Sequence, residues 1–261
     1  MTSTNERLLA EFAEYVAVVR RLRVECPWDR EQTHRSLKYH LLEEAYEAAE
    51  AIDHDQIHLL RDELGDLLLH VTLHAVIGEE NGSFSLVEVL QRNREKLVRR
   101  HPHVFGDRTF ENTEEVKKNW ERTKLSEGRR SVTDGLPHAL PALLRAQRLQ
   151  DKVAKVGFDW ADKEDVWKKV EEEVRELHEA GSAGDPARVE EEFGDLLFAL
   201  VNYARFLHVH CEEALRKATE KFTARFRAVE EELLKAGKTP EQAGLAEMDR
   251  IWNEVKRRDR A

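Results

Sequence analysis

The sequence predicts an all-α protein built as two tandem helical domains from one internal duplication, each four-helix-bundle-like. Three observations carry this. Apolar residues recur at three- and four-residue steps along most of the chain, with no run of strand-like alternation. All six prolines fall between the helical stretches, where a missing backbone donor does least harm. A set of acidic and apolar residues also returns farther along the chain in unchanged register.

The elements follow in order. Leu8, Leu9, Phe12, Val16, Val19 and Leu22 place a helix over residues 4–24, broken by Cys26-Pro27-Trp28-Asp29. Helices over 36–52 and 57–80 are joined by the polar Asp53-His54-Asp55-Gln56, a link short enough to favour antiparallel neighbours. Gly78 and Asn81-Gly82 end the second of these. A helix over 85–100 stops at His101-Pro102-His103, and a short one over 112–125 carries Trp120. The looser stretch from Ser126 to Leu140 marks the domain boundary, giving domains over 1–125 and 141–261 with a linker over 126–140. Beyond it, helices are predicted over 141–156, 163–180, 186–208, 211–236 and 241–258, with a turn at Gly181-Ser182-Ala183-Gly184-Asp185-Pro186.

Composition narrows the function classes. The 261 residues carry a net charge of −10, a poor match to nucleic acid backbones or anionic membranes. No stretch is long and apolar enough to span a bilayer, and the first residues lack the basic start and apolar run of a signal peptide. A cytoplasmic protein is expected. Cys26 and Cys211 stand far apart with no zinc-type spacing, so neither a disulfide framework nor a zinc site is expected.

The duplication has one offset. Glu43, Glu44, Glu47, Glu63, Gly65, Asp66, Leu67 and Leu68 reappear as Glu172, Glu173, Glu176, Glu192, Gly194, Asp195, Leu196 and Leu197, each pair 129 positions apart. Glutamate matches alone mean little in so acidic a chain, but the Gly-Asp-Leu-Leu run in the same register is specific. A looser echo relates Lys96, Arg100 and Trp120 to Lys221, Arg225 and Trp252.

Each half therefore holds Glu-Glu-x-x-Glu on one helix and Glu-x-x-Asp on the next. Residues three apart share a helix face, so Glu173 lies beside Glu176 and Glu192 beside Asp195. If the two helices pack antiparallel, the four carboxylates converge. Two carboxylates about 5 Å apart repel by about 3 kcal/mol at an effective dielectric of about 20. Either some protonate or a cation fills the gap. All-oxygen donors without Cys or His suit Mg²⁺, with Mn²⁺ as a possible substitute, and such an ion shares its shell with phosphates. Phe193, Leu196, Leu197, Leu200 and Val201 flank Asp195, so that helix is expected to bury much of its surface. Gly194 costs helix stability and is expected to admit a close helix neighbour.

These residues resemble the MazG nucleotide pyrophosphohydrolases. So do Cys26-Pro27-Trp28-Asp29, Arg99-Arg100-His101-Pro102-His103-Val104-Phe105, Leu140-Pro141-Ala142-Leu143 and Val156-Gly157-Phe158-Asp159-Trp160. The likeness runs from about residue 6 to 258 and is to the tandem-domain form. It implies Mg²⁺-dependent cleavage of a nucleoside triphosphate to the monophosphate and pyrophosphate, by a homodimer with sites between helices. It further implies Glu173, Glu176, Glu192 and Asp195 as metal ligands. Lys169, Arg188, Lys221, Arg225 and Trp252 match nucleotide-contacting positions. Glu172 is the candidate base for the attacking water, although metal ligation or a surface position fits it nearly as well. Trp252 fits base stacking and core packing equally.

The first half keeps a second possible metal set, Glu44, Glu47, Glu63 and Asp66. In the repeat register, however, His40 stands for Lys169 and Leu59 for Arg188. The C-terminal half is thus expected to be the main catalyst and the other a weak, inactive or regulatory copy. His70 and His74 read as packing or surface residues. The single Glu31-Gln32-Thr33-His34 match, without the paired Glu-x-x-His motifs of di-iron bundles, argues against that class. Two other readings remain. One is a more selective enzyme like the dimeric dUTPases or phosphoribosyl-ATP pyrophosphohydrolases. The other is a non-catalytic helical interaction module with structural metal sites.

Overall fold

The computed structural model describes residues 2–113, 115–116, 119–120, 123 and 131–259. The chain forms two compact units, Met1–Thr113 and Glu114–Ala261. Among the described residues all regular structure is helical, and no helix is long and apolar enough to cross a membrane.

The first unit contains α1 (Thr2–Glu25), α2 (Pro27–Glu31), α3 (Lys38–Asp53), α4 (Ile57–Glu80), α5 (Leu86–Arg100) and α6 (Pro102–Phe105). Pro27 and Pro102 stop the preceding helix, as expected, but each then opens a short helix of its own. Proline at the first helical position forfeits only an N–H that has no intrahelical partner. Helix α4 packs against α1, α3 and α5. Val19, Leu37, Leu73, Val76 and Ile77 form the core of this unit, and Val16, Ala75 and Leu86 a second cluster. Ser85 starts α5 with a capping box to Glu88, satisfying two otherwise orphaned donors.

The second unit contains α7 (Ala142–Ala154), α8 (Lys163–Ala183), α9 (Pro186–Phe206), α10 (Cys211–Lys235) and α11 (Pro240–Arg258). Asp162 and Asp185 cap α8 and α9 by accepting hydrogen bonds from backbone N–H groups of the first turn. Helix α8 runs through Gly181 to Ala183, past its expected end at 180, because the chain first turns at Gly184 (φ 68°). That left-handed position suits glycine. Helix α11 is broken at Gly244 (φ 69°, ψ 168°), where a continuous helix was expected. Helix α9 packs against α7 and α8, and α10 against α7 and α11. Val229, Leu233, Ile251 and Val255 form the α10–α11 core.

The division between units falls after Thr113, ahead of the stretch read as a linker. Residues 126–130 lie outside the described residues, as does much of the helix expected over 112–125. The end of that stretch is tied down: buried Lys152 on α7 donates to the carbonyls of Val132 (2.8 Å) and Asp134 (2.6 Å).

Two expectations for the repeat helices fail within the chain. Phe193 is 53% exposed, Leu197 and Leu200 are exposed, and only Val201 of that set is fully buried. A Cβ on Gly65 or Gly194 would meet no atom within 4 Å, so neither glycine admits a close neighbour here. Phe193, Leu197, Leu200 and both glycines are thus left uncovered by the described helices of their own units.

Candidate metal centre

Each carboxylate set sits on a helical hairpin. In the first unit α3 and α4 are joined by a turn in which Asp55 takes φ 54°; in the second, α8 and α9 are separated only by Gly184 and Asp185. So short a connection brings Glu-Glu-x-x-Glu opposite Glu-x-x-Asp. Oxygens of Glu173, Glu176 and Glu192 lie within 4.8 Å of one another, as do those of Glu44, Glu63 and Asp66. Around an ion with bonds of about 2.1 Å, neighbouring ligand oxygens lie about 3 Å apart and opposite ones about 4.2 Å. Both triads fit a small divalent cation, and the donor set is the hard-oxygen kind such ions take.

The expected fourth members stand slightly apart. Asp195 is exposed and outside the C-terminal triad, although it lines the same cleft as Glu173. Glu47 lies outside the N-terminal triad but close enough to raise the pKa of Glu44 and Glu63.

The electrostatics of the two sets differ. In the C-terminal set Glu173 is 4% exposed and the Glu192 side chain 12%. Lys169 Nζ donates to Glu173 Oε1 at 2.7 Å and to Glu172 Oε1 at 2.9 Å, and Arg188 Nε lies 3.3 Å from Glu192 Oε1. Hydrogen bonds to Glu173 and Glu172 push the Lys169 pKa well above the usual lysine range. The acidic cluster thus carries its own cations. In the N-terminal set no ion pair reaches Glu44, Glu63 or Asp66 among the described residues. Burial, reinforced by the neighbouring carboxylates, raises the pKa of Glu44 and of Glu63. The repeat register survives in outline: His40 lies 3.6 Å from Glu43, where Lys169 meets Glu172.

A cleft of about 800 Å³ opens beside the C-terminal set; its lining includes Lys169, Glu173 and Asp195 together with Leu149, Val153, Phe158, Trp160 and Phe198. Arg205 fixes its wall. It pairs with Asp151 (3.2 Å) and Asp159 (2.8 Å), and donates to Asn202 Oδ1 (2.6 Å). Sequence reasoning assigned no role to Gln150, Asn202 or Arg205, since polar residues on amphipathic helices carry no signal of their own. Val156-Gly157-Phe158-Asp159-Trp160 was visible as a motif, with Gly157 at φ 92° making the turn, but not as a cleft wall.

Lys221, Arg225 and Trp252 lie on α10 and α11, and none of them lines this cleft. Arg225 pairs with Asp259 at 2.7 Å, and its guanidinium lies 6.0 Å from the Trp252 ring. Trp252 packs against the Val229–Val255 core and tilts onto Phe222 with centroids 5.0 Å apart. Trp252 is only partly buried and also lines a shallow pocket with Phe226, Leu245 and Met248, so both readings stay open for it.

In the first unit His34 and His74 join through their Nδ1 atoms at 2.8 Å, and the rings of His74, His70 and His40 continue the row. His70 is buried, in keeping with a packing role.

The profile of the MazG nucleotide pyrophosphohydrolase domain matches residues 32–105 and 162–229. This chain belongs to the MazG family. The two matched segments hold the two carboxylate hairpins, so the duplication is one of whole MazG domains. The chain is 46% identical over 94% of its length to a nucleoside triphosphate pyrophosphohydrolase/pyrophosphatase MazG of Thermotoga maritima, covering 95% of that protein. It is 45% identical over 90% of its length to the nucleoside triphosphate pyrophosphohydrolase of Escherichia coli strain K12, covering 91% of it. A Mycobacterium tuberculosis protein of the same name matches 55% of the chain at 39% identity, over 45% of its own length. The MazG fold here is all-helical and tandem, and its acidic clusters are suited to a divalent metal.

Proposed function

We propose that this MazG chain is a pyrophosphohydrolase that cleaves nucleoside triphosphates to the monophosphate and pyrophosphate, with its C-terminal unit as the main catalyst. The observation that carries this is the Glu173–Glu176–Glu192 triad, whose Glu173 lines a nucleotide-sized cleft and which is already paired with Lys169 and Arg188. The family and its relatives supply the reaction class.

Glu173, Glu176 and Glu192, joined by Asp195, are the residues that would hold Mg²⁺, with Mn²⁺ as substitute. Bound there, the ion supplies neutralisation of phosphate charge and a template for the phosphates. Glu172 accepts the proton of the water that attacks the α-phosphorus; the bond to the β-phosphate breaks and pyrophosphate leaves. Lys169 holds Glu172 in place through its 2.9 Å hydrogen bond and, with Arg188, is available to phosphate oxygens. Lys221 and Arg225 stand four apart on one face of α10, off this cleft, and enter the reading only through their match to nucleotide-contacting positions of the family. Trp252, whose ring lies 6.0 Å from the Arg225 guanidinium, is the family's matching nucleotide contact.

A homodimer completes this reading. The chain exposes 18902 Å², whereas two compact bodies of about 15 kDa would together expose about 14,000 Å². The uncovered Phe193, Leu197, Leu200 and the open glycine faces are the kind of surface a second copy buries. The N-terminal set, lacking cations at the positions of Lys169 and Arg188, serves as a weak or regulatory copy. A cytoplasmic location belongs to this proposal and is supported by the lack of any helix, among the described residues, long and apolar enough to cross a membrane. Against the non-catalytic module with structural metal sites stand the relatives named nucleoside triphosphate pyrophosphohydrolase along most of the chain.

Pyrophosphate release from mixed nucleoside triphosphates, titrated with Mg²⁺, tests the proposal. Wild type is expected to turn over and Glu173→Ala to lose turnover. Equal rates, or release independent of Mg²⁺, reject it.

A further inference from the structure

We propose that the segment between the two MazG domain matches completes the cleft beside Glu173, and that buried Lys152 is the positioning residue that seats its turn there. This rests on the functional reading above and adds to it a wall that lies outside the matched domains.

The first match ends at residue 105 and the second begins at residue 162. Lys169, Glu173 and Asp195 line the cleft from within the second match, whereas Thr133, Val153 and Trp160 line it from the segment between the two. Part of the cleft is thus built by chain that the duplicated domain does not contain. Thr133 comes from the stretch read as a linker.

Thr133 stands in a turn that holds its own shape. The Ser131 N–H donates to Asp134 Oδ2 at 2.9 Å, and the Asp134 N–H donates to the Ser131 carbonyl at 3.2 Å. The Ser131 and Thr133 hydroxyls lie 2.8 Å apart. Gly135, at φ 76°, lets the chain leave the turn. Lys152 fixes this unit to α7. Its Nζ donates to the carbonyls of Val132 and Asp134, the two residues that flank Thr133. Two carbonyls so close in sequence reach one nitrogen only when the turn is closed and seated. Lys152 is 5% exposed, and a buried ammonium is tolerated only while such dipoles solvate it. Swinging the turn away would strand that charge, so the seated position is enforced. Lys152 does not itself line the cleft; it acts through Thr133. Helix α7 is held in turn, because Asp151 pairs with Arg205 of α9 at 3.2 Å.

Such a wall holds a bound triphosphate without touching the bond that breaks, so its loss belongs in KM and not in kcat. The test uses the full chain with ATP at saturating Mg²⁺. Lys152→Met keeps the apolar stem and removes the charge. It is expected to raise KM by about 10-fold and to leave kcat within about twofold. Thr133→Trp, at an exposed position on the cleft lining, is expected to raise KM without moving the melting temperature. Amide hydrogen exchange gives a second readout. The analogue α,β-methylene-ATP, whose carbon bridge resists cleavage, is expected to slow exchange over residues 131–135 in wild type and not in Lys152→Met. Unchanged KM in either variant, or wild-type exchange at 131–135 that ignores the analogue, overturns the inference while leaving pyrophosphate release intact. So does a loss carried by kcat together with a fallen melting temperature, which marks general damage. Should Lys152→Met fail to fold, Thr133→Trp and the wild-type exchange decide. Absence of Mg²⁺-dependent pyrophosphate release by wild type rejects the functional reading, and this inference with it.

Discussion

The Lys169 ammonium donates to the Glu173 carboxylate over 2.7 Å, so the most buried carboxylate of the C-terminal set is already neutralised by its own helix. An incoming cation must displace that contact. Lys169→Met is accordingly expected to tighten binding of Mg²⁺ alone by about 2- to 5-fold, a modest effect because Lys169 is partly exposed. The same variant loses kcat/KM toward triphosphates. Calorimetric titration with Mg²⁺ and steady-state turnover together check this; weaker Mg²⁺ binding would contradict it.

The two carboxylate sets are expected to contribute unequally. Glu173→Ala should lower pyrophosphate release by about 100-fold or more, and Glu44→Ala by no more than about threefold. Equal losses in the two variants would show that both halves catalyse.

The N-terminal set is crowded without a partner cation. Burial and neighbouring carboxylates raise the Glu44 and Glu63 pKa values above 4.5. A raised carboxylate means the fold binds more protons than the unfolded chain. Its stabilising share is present below about pH 4.5 and lost as pH rises through the folded value. Mg²⁺ is therefore expected to raise the melting temperature more at pH 7.5 than at pH 4.5. Glu44→Gln should raise the metal-free melting temperature at pH 7.5. Melting curves with and without a chelator read both effects.

The histidine row sets the opposite trend nearby. Burial, then the facing His40, holds His70 below the ordinary histidine range; burial, then His34 and His70, does so for His74. The unfolded chain takes up these protons near pH 6.5, so stability is complete above that value. It falls as pH drops through 6.5 toward the depressed folded values. A metal-free melting series from pH 8 to 5.5 should lose several degrees, and His70→Leu should flatten the loss. A flat wild-type series would refute the assignment.

Arg205 holds α7, the 156–160 turn and Asn202 together. Arg205→Ala leaves Asp151 and Asp159 unpaired and is expected to cost about 1–3 kcal/mol by denaturant unfolding. No change in midpoint would mean the wall of the cleft is held by other contacts.

The sequence by itself determined the helices, the duplication and the carboxylate pattern, because all three depend on short-range periodicity. Three-residue spacing puts Glu173 beside Glu176, and the short turn read at Gly181–Pro186 leaves little choice but a hairpin. Tertiary structure alone decided which carboxylates close into a triad and which side chains shape the cleft. Asp195 stands outside the triad although its spacing matched. Lys221, Arg225 and Trp252 lie on a separate helix pair, and the Phe193 face is left open. Gln150 meets Phe198, 48 residues away, and no local pattern encodes such a contact. Helical geometry is a property of neighbours in the chain; pairing, burial and orphaned hydrogen bonds are properties of neighbours in space.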